Sequence, residues 1–155
     1  MKKVLAFALI LAIVVSCNKD KFQSKPQITI KSTSGKVVDN GQSLRVELEY
    51  TDQEGDVDDT IVVKKERINQ RRVTTTIRDI IYLTVPEFPN KTKAVISLDL
   101  EYQNHLISAL NPPTVLGSNP PQKESDTLNL KFVLKDKGGN ESDTVVLNGV
   151  VVLRN

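Results

Sequence analysis

The chain has 155 residues, with 21 lysines and arginines against 19 aspartates and glutamates, one cysteine, one histidine and no tryptophan. That near balance excludes the basic excess of a nucleic-acid-binding protein, so no nucleic acid is expected as a partner. A single cysteine excludes a disulfide framework and, beside a single histidine, a Cys/His zinc site.

The first residues state an address. "MKK" is a basic start, Val4 to Val15 is an unbroken apolar run, and Ser16 is a small residue before Cys17. This is the layout of a secretory signal peptide, and the run is well short of the about 20 residues of a spanning helix. The four residues "VVSC" resemble the bacterial lipobox, in which a peptidase cuts before the cysteine and the thiol carries lipid. That resemblance implies lipidation of Cys17 and explains an otherwise unpaired thiol in an oxidising compartment. The alternative is a chance cysteine after an ordinary signal peptide. The expected organisation is a lipoprotein signal peptide over 1–16, a lipidated cysteine and polar tether over 17–25, and one domain over 26–155. Its location would be the bacterial cell envelope, anchored to the outer membrane through N-terminal lipid. Cleavage would remove Lys2 and Lys3 and leave 19 basic and 19 acidic residues.

Along the domain the pattern has period two. "QITIKST" from Gln27 opens it, and "SLRVELEYT" sets Leu44, Val46, Leu48 and Tyr50 against Arg45, Glu47 and Glu49, as a half-buried strand does. Further strands are expected in "TIVVKKERI" from Thr60, "RVTTTIRDIIYLTV" from Arg72 and "AVISLDLEY" from Ala94. "DTLNLKFVLKD" alternates through Leu128, Leu130, Phe132 and Leu134, and "DTVVLNGVVVL" from Asp143 closes the chain. Turn signals lie between them, including Ser34-Gly35, Asn40-Gly41, Pro86, Pro89 and Gly138-Gly139. About seven such strands read as an all-β sandwich. "ISALNPPTVLGSNPPQKESD" carries "NPP" twice and cannot be a central strand. A covering or mobile loop is expected there.

"LEYTDQEGDVDD" and "LKFVLKDKGGNESDTVVLNGVVV" resemble a group of small Bacteroidetes lipoproteins with an immunoglobulin-like domain. In that group the second strand runs into F-x-D-x-D-G-D-I-G, and the closing hairpin carries D-K-x-G-N-x-S. Here Tyr50 replaces the aromatic; Asp52, Gly55 and Asp56 match; Glu54 stands for an aspartate and Asp58 for a second glycine. In the hairpin Asp136, Lys137, Gly139, Asn140 and Ser142 match. The resemblance implies an immunoglobulin-like antiparallel sandwich and the lipoprotein address.

If the strand from Ser43 is B, that from Thr60 is C and the last two are F and G, the B–C and F–G loops share one end. Asp52, Glu54, Asp56 and Asp58 could then meet Asp136, Asn140 and Asp143. Hard oxygen donors in flexible loops suit calcium, which takes six to eight oxygens at about 2.3–2.6 Å. The spacing is not that of an EF-hand, since position twelve counted from Asp52 is Val63 and the glycine comes fourth. The competing reading is a pair of solvated turns.

Catalysis has little to build on: His105 follows "EYQN" with no partner motif, and no nucleophile with an adjacent base stands out. Phe88 in "VPEFPN" is the one loop aromatic that could be exposed. "KKERINQRR" from Lys64 reads as a solvated basic edge. Asp-Thr-apolar triplets make Thr60, Thr127 and Thr144 resemble Bacteroidetes O-glycosylation sequons, although Asp-Thr also opens a strand each time. The expectation is a non-enzymatic, membrane-anchored binding or structural module with an envelope protein as partner, possible calcium as its one cofactor, and an accessory glycan-binding protein as the rival.

Overall fold

The computed structural model describes residues 24–57 and 59–154. The expected signal peptide, the expected lipidation site Cys17, the expected tether as far as Gln23 and the metal candidate Asp58 lie outside the described residues.

Among the described residues eight strands form: β1 (Gln27–Thr33), β2 (Val37–Val38), β3 (Ser43–Thr51), β4 (Thr60–Arg67), β5 (Ile80–Thr84), β6 (Lys93–Glu101), β7 (Asp126–Lys135) and β8 (Val145–Val152). A π-helical turn, Tyr102–Leu106, follows β6. One sheet has the order β1-β3-β6 and the other β2-β8-β7-β4-β5. The first three occupy the A, B and E places of an immunoglobulin-like sandwich, and β4, β7 and β8 those of C, F and G. β5 lies beside C, where variable-type domains carry an added strand. The expected arrangement was antiparallel throughout; β2 instead joins β8 in parallel, Val37 opposite Val151.

Alternation explains why the sheets stack. On β3 Leu44, Val46, Leu48 and Tyr50 turn inward, and on β7 Leu128, Leu130, Phe132 and Leu134 do the same, all at most 1% exposed. Each such side chain contributes about 1.5–3 kcal/mol when fully buried. β3 holds β6 along its whole length, from Ser43 opposite Glu101 to Thr51 opposite Lys93.

Two expectations change, and that of a covering or mobile double-proline loop narrows to the first. The strand foreseen from Arg72 begins at Ile80, because Arg78 adopts a positive φ of 51° and interrupts the extended chain. Before that break, Thr76 bridges Ala109 and Ile77 N–H donates to the Ser108 carbonyl at 2.9 Å. The double-proline loop is tied down: Val115 N–H donates to Gln122, Glu124 N–H to Pro113, and Arg71 Nη1 to Thr114. The basic stretch after Lys64 is not a purely solvated edge. Lys65 and Arg67 share the inward phase of Ile61 and Val63 on β4, and Lys65 is only 3% exposed.

Candidate functional site

β3 leaves its sheet at Thr51, and the next residue starts a tight turn. Asp52 N–H donates to the Thr92 carbonyl at 2.9 Å, and Asp52 Oδ2 accepts the Gly55 N–H at 2.6 Å. Gly55 has φ +71°, and a Cβ there would sit 2.8 Å from Lys91 N, so both conformation and space require glycine. Val57, fully buried, then pins the loop before β4. The loop after β7 closes on itself: Asp136 Oδ1 accepts the Asn140 N–H at 2.7 Å and Oδ2 accepts Asn140 Nδ2 at 2.9 Å. Lys137 N–H donates to the Asp56 carbonyl at 3.0 Å and so joins the two loops.

These turns bring Asp52, Asp56 and Asp136 together, one oxygen from each lying within 4.8 Å of the others. Two ligands of one calcium can be no farther apart than twice the bond length, about 5 Å, so one ion could touch all three. Asp52 and Asp136 are 1% and 2% exposed, yet Asp52 Oδ1 and Asp56 Oδ1 are buried with no hydrogen-bond donor among the described residues. Burial raises the Asp56 pKa, its own backbone N–H partly offsets this, and the charges of Asp136 and Asp52 raise it further. Three carboxylates crowded together with two donor-less oxygens are costly without a cation. Among the described residues no histidine or cysteine joins the group, so the donor set favours a hard cation over zinc or copper.

The other candidates fall elsewhere. Glu54 is exposed and outside the trio, and Asp143 pairs with Lys25 at 2.6 Å. Asn140 acts as a donor that orients Asp136. Thr144 is exposed, while Thr60 and Thr127 are half-buried on β4 and β7. His105 lies in the π-turn, at the opposite end from the trio, and its Nδ1 accepts the Glu101 N–H at 2.9 Å. Phe88 is half-buried against Tyr50, with ring centroids 6.2 Å apart, and is not the exposed aromatic that its loop position suggested.

Two features went unforeseen. Asp126, fully buried, accepts from Arg67 Nε at 2.8 Å, from the Ser108 and Ala109 N–H groups, and from Arg154 Nη1 at 3.3 Å. Beside it Lys65 Nζ donates to the Ile107 carbonyl, and burial first, then Arg78, lowers its pKa to about 8. The phase of Lys65 and Arg67 with Ile61, and of Asp126 with Leu128, was the available signal. The second feature is Tyr82, 69% exposed on β5 at a shallow groove of about 390 Å³ on the outer face of the larger sheet. It shares a strand face with Ile80 and Thr84, and period two could have found it.

No protein-family model matches the chain, and comparison with curated proteins and with solved structures gives no match either.

Proposed function

We propose that this chain is a lipid-anchored, non-catalytic immunoglobulin-like module of a bacterial cell envelope that works through protein contacts and is braced by calcium at its acidic end. The observation that carries the cation is the trio of Asp52, Asp56 and Asp136 with its two buried oxygens lacking donors. Asp52 follows β3 of the smaller sheet; Asp56 precedes β4 and Asp136 follows β7, both of the larger. An ion held there would tie the two sheets together. Lys25, just before β1, pairs with Asp143 at this end, so a tether leading to Cys17 would leave beside the ion. A force between anchor and domain would then act on the braced end.

The anchor rests on the signal-peptide pattern and the resemblance of "VVSC" to a lipobox; the family likeness rests on the quoted loop motifs. Incorporation of labelled palmitate that disappears in Cys17→Ser tests the anchor. For the cation, isothermal titration of calcium into the chain from Asn18, which carries every described strand, should give a saturable one-site isotherm that Asp136→Asn removes. A flat isotherm would return the loops to solvated turns.

Tyr82 favours the glycan reading as the second choice, since sugar rings stack on exposed aromatics. A single ring flanked by lysines is a smaller warrant than the acidic trio.

A further inference from the structure

The two sheet orders leave four edge strands, and unpaired edges invite strand addition unless they are guarded. β1 is guarded by a bulge between Ile30 and Ser32 and by exposed Lys31. β6 carries exposed Lys93, Asp99 and Glu101, and β2 is only two residues long. β5, "IIYLT", has no charge, proline or bulge, and Ile80 and Tyr82 are 50% and 69% exposed.

The ladder fixes which backbone groups of β5 are left unpaired among the described residues. Lys65 N–H donates to the Asp79 carbonyl at 2.7 Å and Val85 N–H to Asp59 at 3.0 Å. Bonded pairs alternate in an antiparallel ladder. Asp79, Ile81, Leu83 and Val85 therefore turn their backbone groups toward β4, and Ile80, Tyr82 and Thr84 turn theirs outward. The edge is bounded by the positive φ of Arg78 at one end and by Pro86 at the other. Its midpoint is Tyr82.

We infer that β5 is the seam of a symmetric dimer, in which two copies pair antiparallel along Ile80–Thr84 about a twofold axis at Tyr82. In that register Tyr82 faces Tyr82 of the partner subunit and Ile80 faces Thr84 of the partner subunit. Each pair exchanges both N–H···O=C bonds, and each larger sheet continues into the other. A second copy is the occupant because the outward groups of Ile80, Tyr82 and Thr84 are symmetric about Tyr82 and the segment is uncharged, so its own reverse meets them in register with no like charges opposed. Stacking of the outer face is opposed, since Lys64 lies directly opposite Lys131 across β4 and β7. The interface is isologous and closes at two copies. A five-residue edge falls below the about 1,200 Å² of a standard interface, so the association is weak and is followed at high concentration. The seam involves neither the acidic trio nor Cys17.

The test uses the chain from Asn18, which lacks Cys17 and so has no cysteine of its own. Facing residues of a bonded antiparallel pair have Cα atoms about 5.5 Å apart, within disulfide range. Tyr82→Cys should therefore trap a covalent dimer on mild oxidation. Ile80→Cys, whose two thiols would sit roughly 13 Å apart along the strands at about 3.4 Å per residue, should not. Tyr82→Lys should abolish the concentration-dependent rise in sedimentation coefficient with its melting temperature unchanged. Equal trapping of both cysteine variants, or a wild-type chain that sediments as a monomer across the series, would overturn the dimer.

Discussion

The two ends of the sandwich handle buried charge in opposite ways. At the end where β7 begins, Asp126 is fully buried and surrounded by donors: Arg67, Arg154 and two backbone N–H groups. At the end where β7 finishes, Asp136 meets two further carboxylates, and buried oxygens of Asp52 and Asp56 lack a donor among the described residues. The same strand thus starts in a balanced charge cluster and ends in an unbalanced one. Both ends hold a buried carboxylate oxygen without a hydrogen bond, but Glu124 Oε2 at the first lies 3.1 Å from Arg71 Nε, whereas Asp52, Asp56 and Asp136 crowd one another; the marker is a buried acceptor surrounded by like charge.

The sharpest way to break this contrast is Asp126→Ala. It leaves Arg67 buried without its carboxylate, and unfolding in urea should show a loss of about 3–5 kcal/mol. Asp136→Ala in chelator should cost less, because the lost Asn140 hydrogen bonds are offset by relieved repulsion.

Next in size is the pH dependence of the balanced end. The Lys65 pKa is lowered to about 8 by burial and Arg78, while an unfolded lysine titrates near 10.4. Between about pH 8 and 10 the unfolded chain holds a proton that the folded chain has shed, so stability rises with pH there. The gain should be on the order of 3 kcal/mol and should vanish in Lys65→Met. Above about pH 10 Tyr102, whose pKa burial raises, works in the opposite direction.

Gly55→Ala should cost at least about 1 kcal/mol, because φ is positive and the new Cβ meets the Lys91 backbone. It should also weaken calcium binding, since that turn aims Asp52.

The smallest effect belongs to Asp56. Its raised pKa means that the folded chain keeps a proton which the unfolded chain, titrating near 3.9, has lost. Stability from this group therefore falls as pH rises through that window. Asp56→Asn should remove the slope and, in chelator at neutral pH, raise the melting temperature slightly.

Most of the fold was legible because β3 and β7 alternate without interruption, and a one-residue slip would expose all of Leu44, Leu48, Leu130 and Leu134. β2 was not legible: Val37-Val38 is too short for a period and is held by its pairing with β8. The break at Arg78 was hidden because "TTTIRDII" reads as β-prone whichever partner it takes. In the site, the B–C and F–G loops were expected to meet, and Asp52, Asp56 and Asp136 do. The sequence could not select those three over Glu54 and Asp143, since that choice depends on where Gly55 turns and on the pairing of Lys25. Buried Lys65 and Arg67 were masked by the rule that basic runs are solvated, although their phase on β4 pointed inward.

A thermal melt of the chain from Asn18, in millimolar calcium and in chelator, asks whether a cation completes the acidic end. Calcium at a hundred times its dissociation constant stabilises by about 2.7 kcal/mol, a shift of several degrees for a domain of this size. That rise is expected in the wild-type chain, with its loss in both Asp56→Asn and Asp136→Asn. Identical melts in calcium and chelator would contradict it.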